Sequence, residues 1–112
     1  MRAGDIAKRA ADLVAGDREA QNGTKLHNFR NIVTLWNAYL AIRRDPAAPL
    51  DEADHAHMMV LMKIARTQAG RFNPDDWLDM TGYAACAGEV AHALQEDAKA
   101  DQNSQATQSS AP

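Results

Sequence analysis

The sequence predicts an all-α protein, a compact bundle of three to four antiparallel helices followed by a disordered C-terminal tail. Three observations carry this. Apolar residues recur at three- and four-residue spacing in four stretches; no stretch alternates with the period of two that a half-buried strand needs; and capping or breaking residues bracket each helical stretch. The closing "DAKADQNSQATQSSAP" has no periodic apolar face. The bundle domain is therefore expected over residues 1–96 and a disordered polar tail over 97–112.

The first helix is expected from about Asp5 to Ala15. Ile6, Ala10, Leu13 and Val14 make one stripe, and Gly16 can take the left-handed conformation that ends it. In the following "GDREAQNGTKL", Asn22-Gly23 is the strongest breaker. The second helix, about His27 to Arg44, carries Phe29, Ile32, Val33, Trp36 and Leu40 on its main stripe, and Leu35, Tyr39 and Ile42 widen it. So broad an apolar surface implies more than one neighbour, and a homo-oligomer through this helix is the expected assembly. Trp36, Tyr39 and Trp77 are expected in a core or subunit interface rather than stacked on a base.

"RDPAAPL" stops the second helix, because Pro46 and Pro49 each remove a donor and bias the residue before them away from helix. Asp51 is the expected N-cap of the third helix, with Glu52 and Asp54 in its first turn. That helix runs to about Ala69, buries Met58, Leu61, Met62 and Ala65, and stops at Gly70. The fourth begins at "NPDD", where Asn73 caps and Pro74 fills the first position. It runs to about Glu96 through Trp77, Met80, Ala84, Ala87, Ala91 and Leu94. Gly82 and Gly88 each cost roughly 1 kcal/mol against alanine in a helix, so a closely packed backbone is expected beside them.

Composition narrows the function classes. Hydrophobic residues at 46% and charged residues at 24% are ordinary for a globular chain, and a net charge of −3 gives no broad attraction to nucleic acid or an anionic membrane. No extended nucleic-acid surface is expected. The roughly 95 residues ahead of the tail suffice for one core, near the size where an oligomer often adds stability. The single cysteine, Cys86, excludes an intrachain disulfide and a Cys-rich zinc site; among alanines it is expected to be buried and inert. No signal-peptide pattern and no run of about 18 apolar residues occurs, which predicts a cytoplasmic protein without a membrane span.

Three groups of residues could carry chemistry. Asp75, Asp76 and Asp79 open the fourth helix; Asp75 and Asp79 lie one turn apart on one face, and Asp76 and Asp79 are also within reach of one another. A magnesium site needs a second wall of oxygen ligands, and residues 27–44 contain no aspartate or glutamate. Counting outward from the "GRFN" turn sets Arg66 level with Asp76 and Lys63 level with Asp79, so the expected partners of these carboxylates are cations. Asp54 and His57 share a face at metal-ligand spacing, but His55 points away from His57 and ordinary capping explains the acidic residues. No metal or other cofactor is therefore favoured, and Asp54, Asp75, Asp76 and Asp79 are the candidates if magnesium binds. Arg18, Lys25, His27 and Arg30 gather around the first loop and the start of the second helix, where a phosphate can sit; Lys63 and Arg66 complete this candidate anion or nucleotide site.

"DREAQNG", "NFRNIVTLWNAYL", "DHAHMMVLMKIAR" and "DDWLDMTGYAACAGE" together resemble a family of small uncharacterised helical proteins common in phages and prophages. The resemblance covers about residues 5 to 91, and its most specific part is MMVLMKIAR followed by D-x-x-x-x-x-GYAA. Where the family's first loop reads tyrosine-glycine, Asn22 precedes Gly23 here. The resemblance implies a non-enzymatic accessory protein of the host cytoplasm, binding a host protein or a phosphorylated small ligand such as a nucleotide. In its helical layout and late acidic motif the chain is also distantly similar to the MazG-like all-α nucleotide pyrophosphohydrolases, which implies magnesium-dependent cleavage of nucleoside triphosphates as the alternative. A structural role in a larger assembly is the second alternative.

Overall fold

The computed structural model describes residues 1–16 and 24–109, the side chains of 106–109 excepted, and all its regular structure is helical. The helices are α1 (Ala3–Ala15), α2 (Lys25–Ile42), α3 (Glu52–Thr67) and α4 (Asp75–Ser109). Asn22, Gly23 and Arg18 lie outside the described residues.

Local chemistry places both ends of α3 and the start of α4 close to where the sequence put them. Asp51 and Asp54 form a reciprocal capping box: the Asp54 amide donates to Asp51 Oδ1 at 2.9 Å and the Asp51 amide to Asp54 Oδ2 at 2.8 Å. Gly70 follows α3 with φ 70°, a left-handed conformation that glycine adopts without steric cost. Asn73 Oδ1 then accepts from the Asp75 amide at 3.1 Å, satisfying a donor at the start of α4. Gly16, by contrast, has φ −93°, so α1 ends without the left-handed cap expected there.

α3 lies in the middle of the bundle, with α2 against one side and α4 against the other. The α2–α3 register is fixed where the Trp36 indole N–H donates to the Met58 carbonyl at 2.7 Å. The α3–α4 register is fixed by Lys63 Nζ and Asp79 Oδ2, also 2.7 Å apart.

The core is thin and half polar. Its buried apolar residues are Ile32, Ala56, Ala65 and Ala87, and its buried polar residues are Asn28, Asp54, Lys63 and Asp76. Trp36, Leu40, Met58, Leu61 and Met62 are half-buried. Much of the remaining apolar pattern is uncovered. α1 has no buried residue, Phe29 and Val33 on α2 are exposed, and Trp77 is exposed with its ring tilted against Phe72 at 5.2 Å between centroids. Periodicity reports which faces suit burial, whereas the number of neighbouring helices decides which are covered. With α3 as the shared neighbour, α2 and α4 each keep an open flank.

Three expectations about α4 are corrected. A Cβ built at Gly82 or Gly88 would meet nothing within 4 Å, so no backbone packs there. Cys86 is exposed rather than buried. Nor does α4 stop at Glu96. Past the last half-buried side chain, Leu94, helix continues to Ser109 with every described side chain exposed. No glycine or proline interrupts residues 89–109, and alanine, lysine and glutamine there favour helix. This projecting end contributes to overall dimensions of 69 × 36 × 25 Å.

Candidate functional site

The polar interior falls into two groups, one at each end of the α2–α3 contact. The first sits where α2 begins and α3 ends. Counting back from the Trp36–Met58 bond along two antiparallel helices sets Asn28 level with Arg66, and counting from Lys63–Asp79 sets Arg66 level with Asp76. Asn28, Arg66 and Asp76 thus share one level, and Ile32, Lys63 and Asp79 the next. Asn28 and Asp76 are each only 4% exposed. Asn28 Oδ1 and Arg66 Nε are buried without a hydrogen-bond partner among the described residues. Such atoms carry an unrecovered desolvation cost of about 1–3 kcal/mol each, which a bound polar group would relieve.

Of the candidate anion-site residues, Lys63 is committed to Asp79, while Arg66 is half-buried and retains its unpartnered Nε. Lys25, His27 and Arg30 are exposed along the first turns of α2. His27 Nε2 pairs with Asn31 Nδ2 at 3.4 Å. The start of α2 carries no acidic residue in its first turn and no side-chain cap from Thr24. This positive end of the α2 dipole lies on the same side of the molecule as Arg66.

The second group joins the end of α2 to the start of α3. The Asp54 carboxylate is nearly enclosed: Arg43 Nε donates to it at 3.2 Å and Arg43 Nη2 at 2.8 Å, the Asp51 amide at 2.8 Å, and the Tyr39 hydroxyl completes the set. The Tyr39 bond foremost, followed by the Asp51 amide and Arg43, pulls the Asp54 pKa down to about 2, against burial that raises it. Burial first, and the neighbouring Asp54 carboxylate next, push the Tyr39 pKa up to about 12. Tyr39 is thus the donor to Asp54, and its oxygen accepts from His57 Nδ1–H at 2.9 Å. That order of donors places a His57 proton on Nδ1. Arg43 also ties down the intervening loop, donating to the Ala48 carbonyl at 2.7 Å and to that of Pro49 at 3.0 Å.

This geometry reassigns Asp54. It shares a face with His57 as expected, but Tyr39 stands between them and its oxygens are occupied by protein donors. Among the described residues no three His, Cys, Asp or Glu side chains gather as a metal-binding group. Asp75 is exposed at the helix start, Asp76 is buried, and Asp79 faces Lys63. Sequence reasoning passed over Asn28, Tyr39 and Arg43. The available signal was Arg43 four positions after Tyr39, on the face that the capping residue Asp54 approaches.

Helices with a charged and partly unpaired interior define a small all-α domain built around polar groups. Residues 5–91 match the Domain of unknown function (DUF6378), and the chain belongs to that family. It is similar to the Gene 55 protein of Mycobacterium phage D29, 33% identical over 85 residues that cover 76% of this chain and 52% of that protein. It is equally similar to the Gene 55 protein of Mycobacterium phage L5, 33% identical over 79 residues, covering 70% of this chain and 47% of that protein. The chain spans about half the length of these curated relatives. No solved structure matches it. The resemblance to a helical phage family therefore holds. No helix among the described residues is long and apolar enough to cross a membrane.

Proposed function

We propose that this is a phage-type accessory domain that acts by binding rather than catalysis, and that its ligand is a phosphorylated small molecule such as a nucleotide. The observation that carries the proposal is the pair of buried, unpartnered groups, Asn28 Oδ1 and Arg66 Nε, at one level of the bundle. An arginine donor suits a phosphate oxygen, and an amide oxygen suits an N–H or O–H of the attached base or sugar. The start of α2, with no side-chain cap from Thr24 and no acidic residue in its first turn, and with His27 and Arg30 along it, supports a phosphate at the same end. Its phage relatives support a place in the host cytoplasm.

Calorimetric titration with a panel of nucleoside mono-, di- and triphosphates tests the reading, with and without magnesium. We expect binding by at least one nucleotide, weakened tenfold or more by Arg66→Gln and by Asn28→Leu. Absence of binding by the folded protein, or binding that both substitutions leave unchanged, overturns it. Capture of a host protein in place of any nucleotide would move the accessory role to a protein partner.

One observation favours a second reading, the MazG-like magnesium-dependent pyrophosphohydrolase. Asp76 is buried one turn from Asp79, deeper than a carboxylate serving only the helix dipole. Against it stand the acid-free α2 and the engagement of Asp79 by Lys63. Pyrophosphate release from a nucleotide with magnesium or manganese, lost in Asp76→Asn and Asp79→Asn, would put this reading first.

A further inference from the structure

Phe72 and Trp77 form an aromatic pair at the turn into α4, their centroids 5.2 Å apart and their planes tilted by 31°. Phe72 braces the indole without covering it: Trp77 stays 48% exposed and Phe72 76%. Tryptophan is on average among the well-buried residues, so an indole held in place yet left open is a surface for something else.

Helical spacing sets this indole beside an unmet polar atom. Trp77 precedes Ala84 and Ala91 by seven and fourteen residues, so the three lie close to one line of α4. Asn28 precedes Tyr39 by eleven residues, three turns of α2, so these two also share a line. Tyr39, Ala84 and Ala91 line one cleft over α3. Asn28 and Trp77 therefore continue the two walls of that cleft toward the start of α2. They do so at one level, because Trp77 follows Asp76 by a rise of only about 1.5 Å. Asn28 is 4% exposed, and its Oδ1 has no partner among the described residues.

We propose that the base of the bound nucleotide stacks on Trp77 and donates an N–H to Asn28 Oδ1. Resting on the phosphate-binding function proposed above, this makes the base, rather than the sugar or the phosphate alone, what the domain selects. Every base has a π-face for an indole, and such stacking is worth about tenfold or more in affinity. The amino groups of adenine, guanine and cytosine supply the N–H that a buried amide oxygen lacks. Burial of that oxygen also favours a thin ligand. A packed helix is about 10 Å across and would rest on the rim of the cleft, whereas a flat base enters edge first.

Calorimetric titration of the full chain tests this, with adenosine, guanosine and cytidine mono- and triphosphates set against base-free ribose 5-phosphate and inorganic tripolyphosphate. We expect at least one nucleotide to bind tenfold or more tighter than its base-free counterpart. Trp77→Ala should bring that nucleotide down to the level of the counterpart, and Trp77→Phe should keep much of the advantage. Asn28→Leu should weaken the nucleotide and leave the counterpart unchanged. Trp77 is exposed, so circular dichroism should keep its helical amplitude in both of its variants. The nucleotide should quench tryptophan emission from the wild-type protein but not from Trp77→Phe, where Trp36 is the only indole. A preference that survives Trp77→Ala, equal binding of nucleotide and counterpart, or a loss in Asn28→Leu shared by the counterpart would each overturn the stacked base while the phosphate-binding function stands. Binding of none of these compounds overturns both. A dimer in sedimentation equilibrium that Trp77→Ala dissociates would give the indole to a second copy, and overturns the stacked base as well.

Discussion

Tyr39 gives its hydroxyl hydrogen to Asp54, and that bond holds the end of α2 against the start of α3. The same oxygen then accepts from His57, so one phenol organises a carboxylate and an imidazole fifteen and eighteen positions away. In a bundle with so few buried apolar side chains, such polar contacts contribute a large part of the specificity of α2–α3 docking.

Removing that hydroxyl should be costly. Tyr39→Phe leaves Asp54 short of one donor in a site where its side chain is 10% exposed. The expected loss is about 1–3 kcal/mol, the range for hydrogen bonds to charged groups. Urea denaturation should show a lower midpoint at unchanged slope, because the surface exposed on unfolding stays the same.

The pH dependence has two edges. Asp54 is lowered from 3.8 in the unfolded chain to about 2 in the fold, so its contribution is fully present above about pH 4 and is lost as pH falls through 2. The size is about 2 kcal/mol. Tyr39 is raised from 10.0 to about 12, so its contribution is present below pH 10 and is lost as pH rises toward 12. Thermal melts in Asp54→Asn should lose the acid edge, and melts in Tyr39→Phe should lose the alkaline edge and weaken the acid one.

Lys63 and Asp79 should respond unequally to substitution. The lysine side chain is 11% exposed and the aspartate 46%. Asp79→Asn strands a buried ammonium and is expected to cost about 2–3 kcal/mol. Lys63→Met leaves a carboxylate that water already solvates, and should cost about 1 kcal/mol or less. Equilibrium unfolding of the two variants side by side checks the order.

Two glycines should respond in opposite directions. Gly82→Ala meets no neighbour and should stabilise by about 0.5–1 kcal/mol through helix propensity. Gly70→Ala forces a Cβ onto a residue with φ 70° and should destabilise by about 1 kcal/mol. Melting temperatures resolve both.

The sequence was most legible where short-range chemistry decides. Asp51 capping α3, Gly70 ending it and Asn73 opening α4 each depend on a few adjacent residues, and the antiparallel count from the α3–α4 turn placed Lys63 beside Asp79. It was least legible where partners are distant. Tyr39 read as one more apolar position on α2, because Asp54 lies on another helix and only Arg43, four positions on, hints at a buried carboxylate. Gly82, Gly88 and Cys86 read as packed because small residues suit a close neighbour, but whether one arrives depends on the number of helices around α4. Asn28 carried no signal at all. Its burial follows from the α2–α3 register, which the sequence leaves open.

The indole of Trp36, fastened to the Met58 carbonyl, has an optical consequence. Trp77, the other tryptophan, is exposed beside Phe72. Replacing Trp77 by phenylalanine leaves one fluorophore, at the seam between α2 and α3, emitting at shorter wavelength than the one removed. Its red shift in a stopped-flow mixer then times the parting of those two helices alone, while circular dichroism follows the rest of the chain.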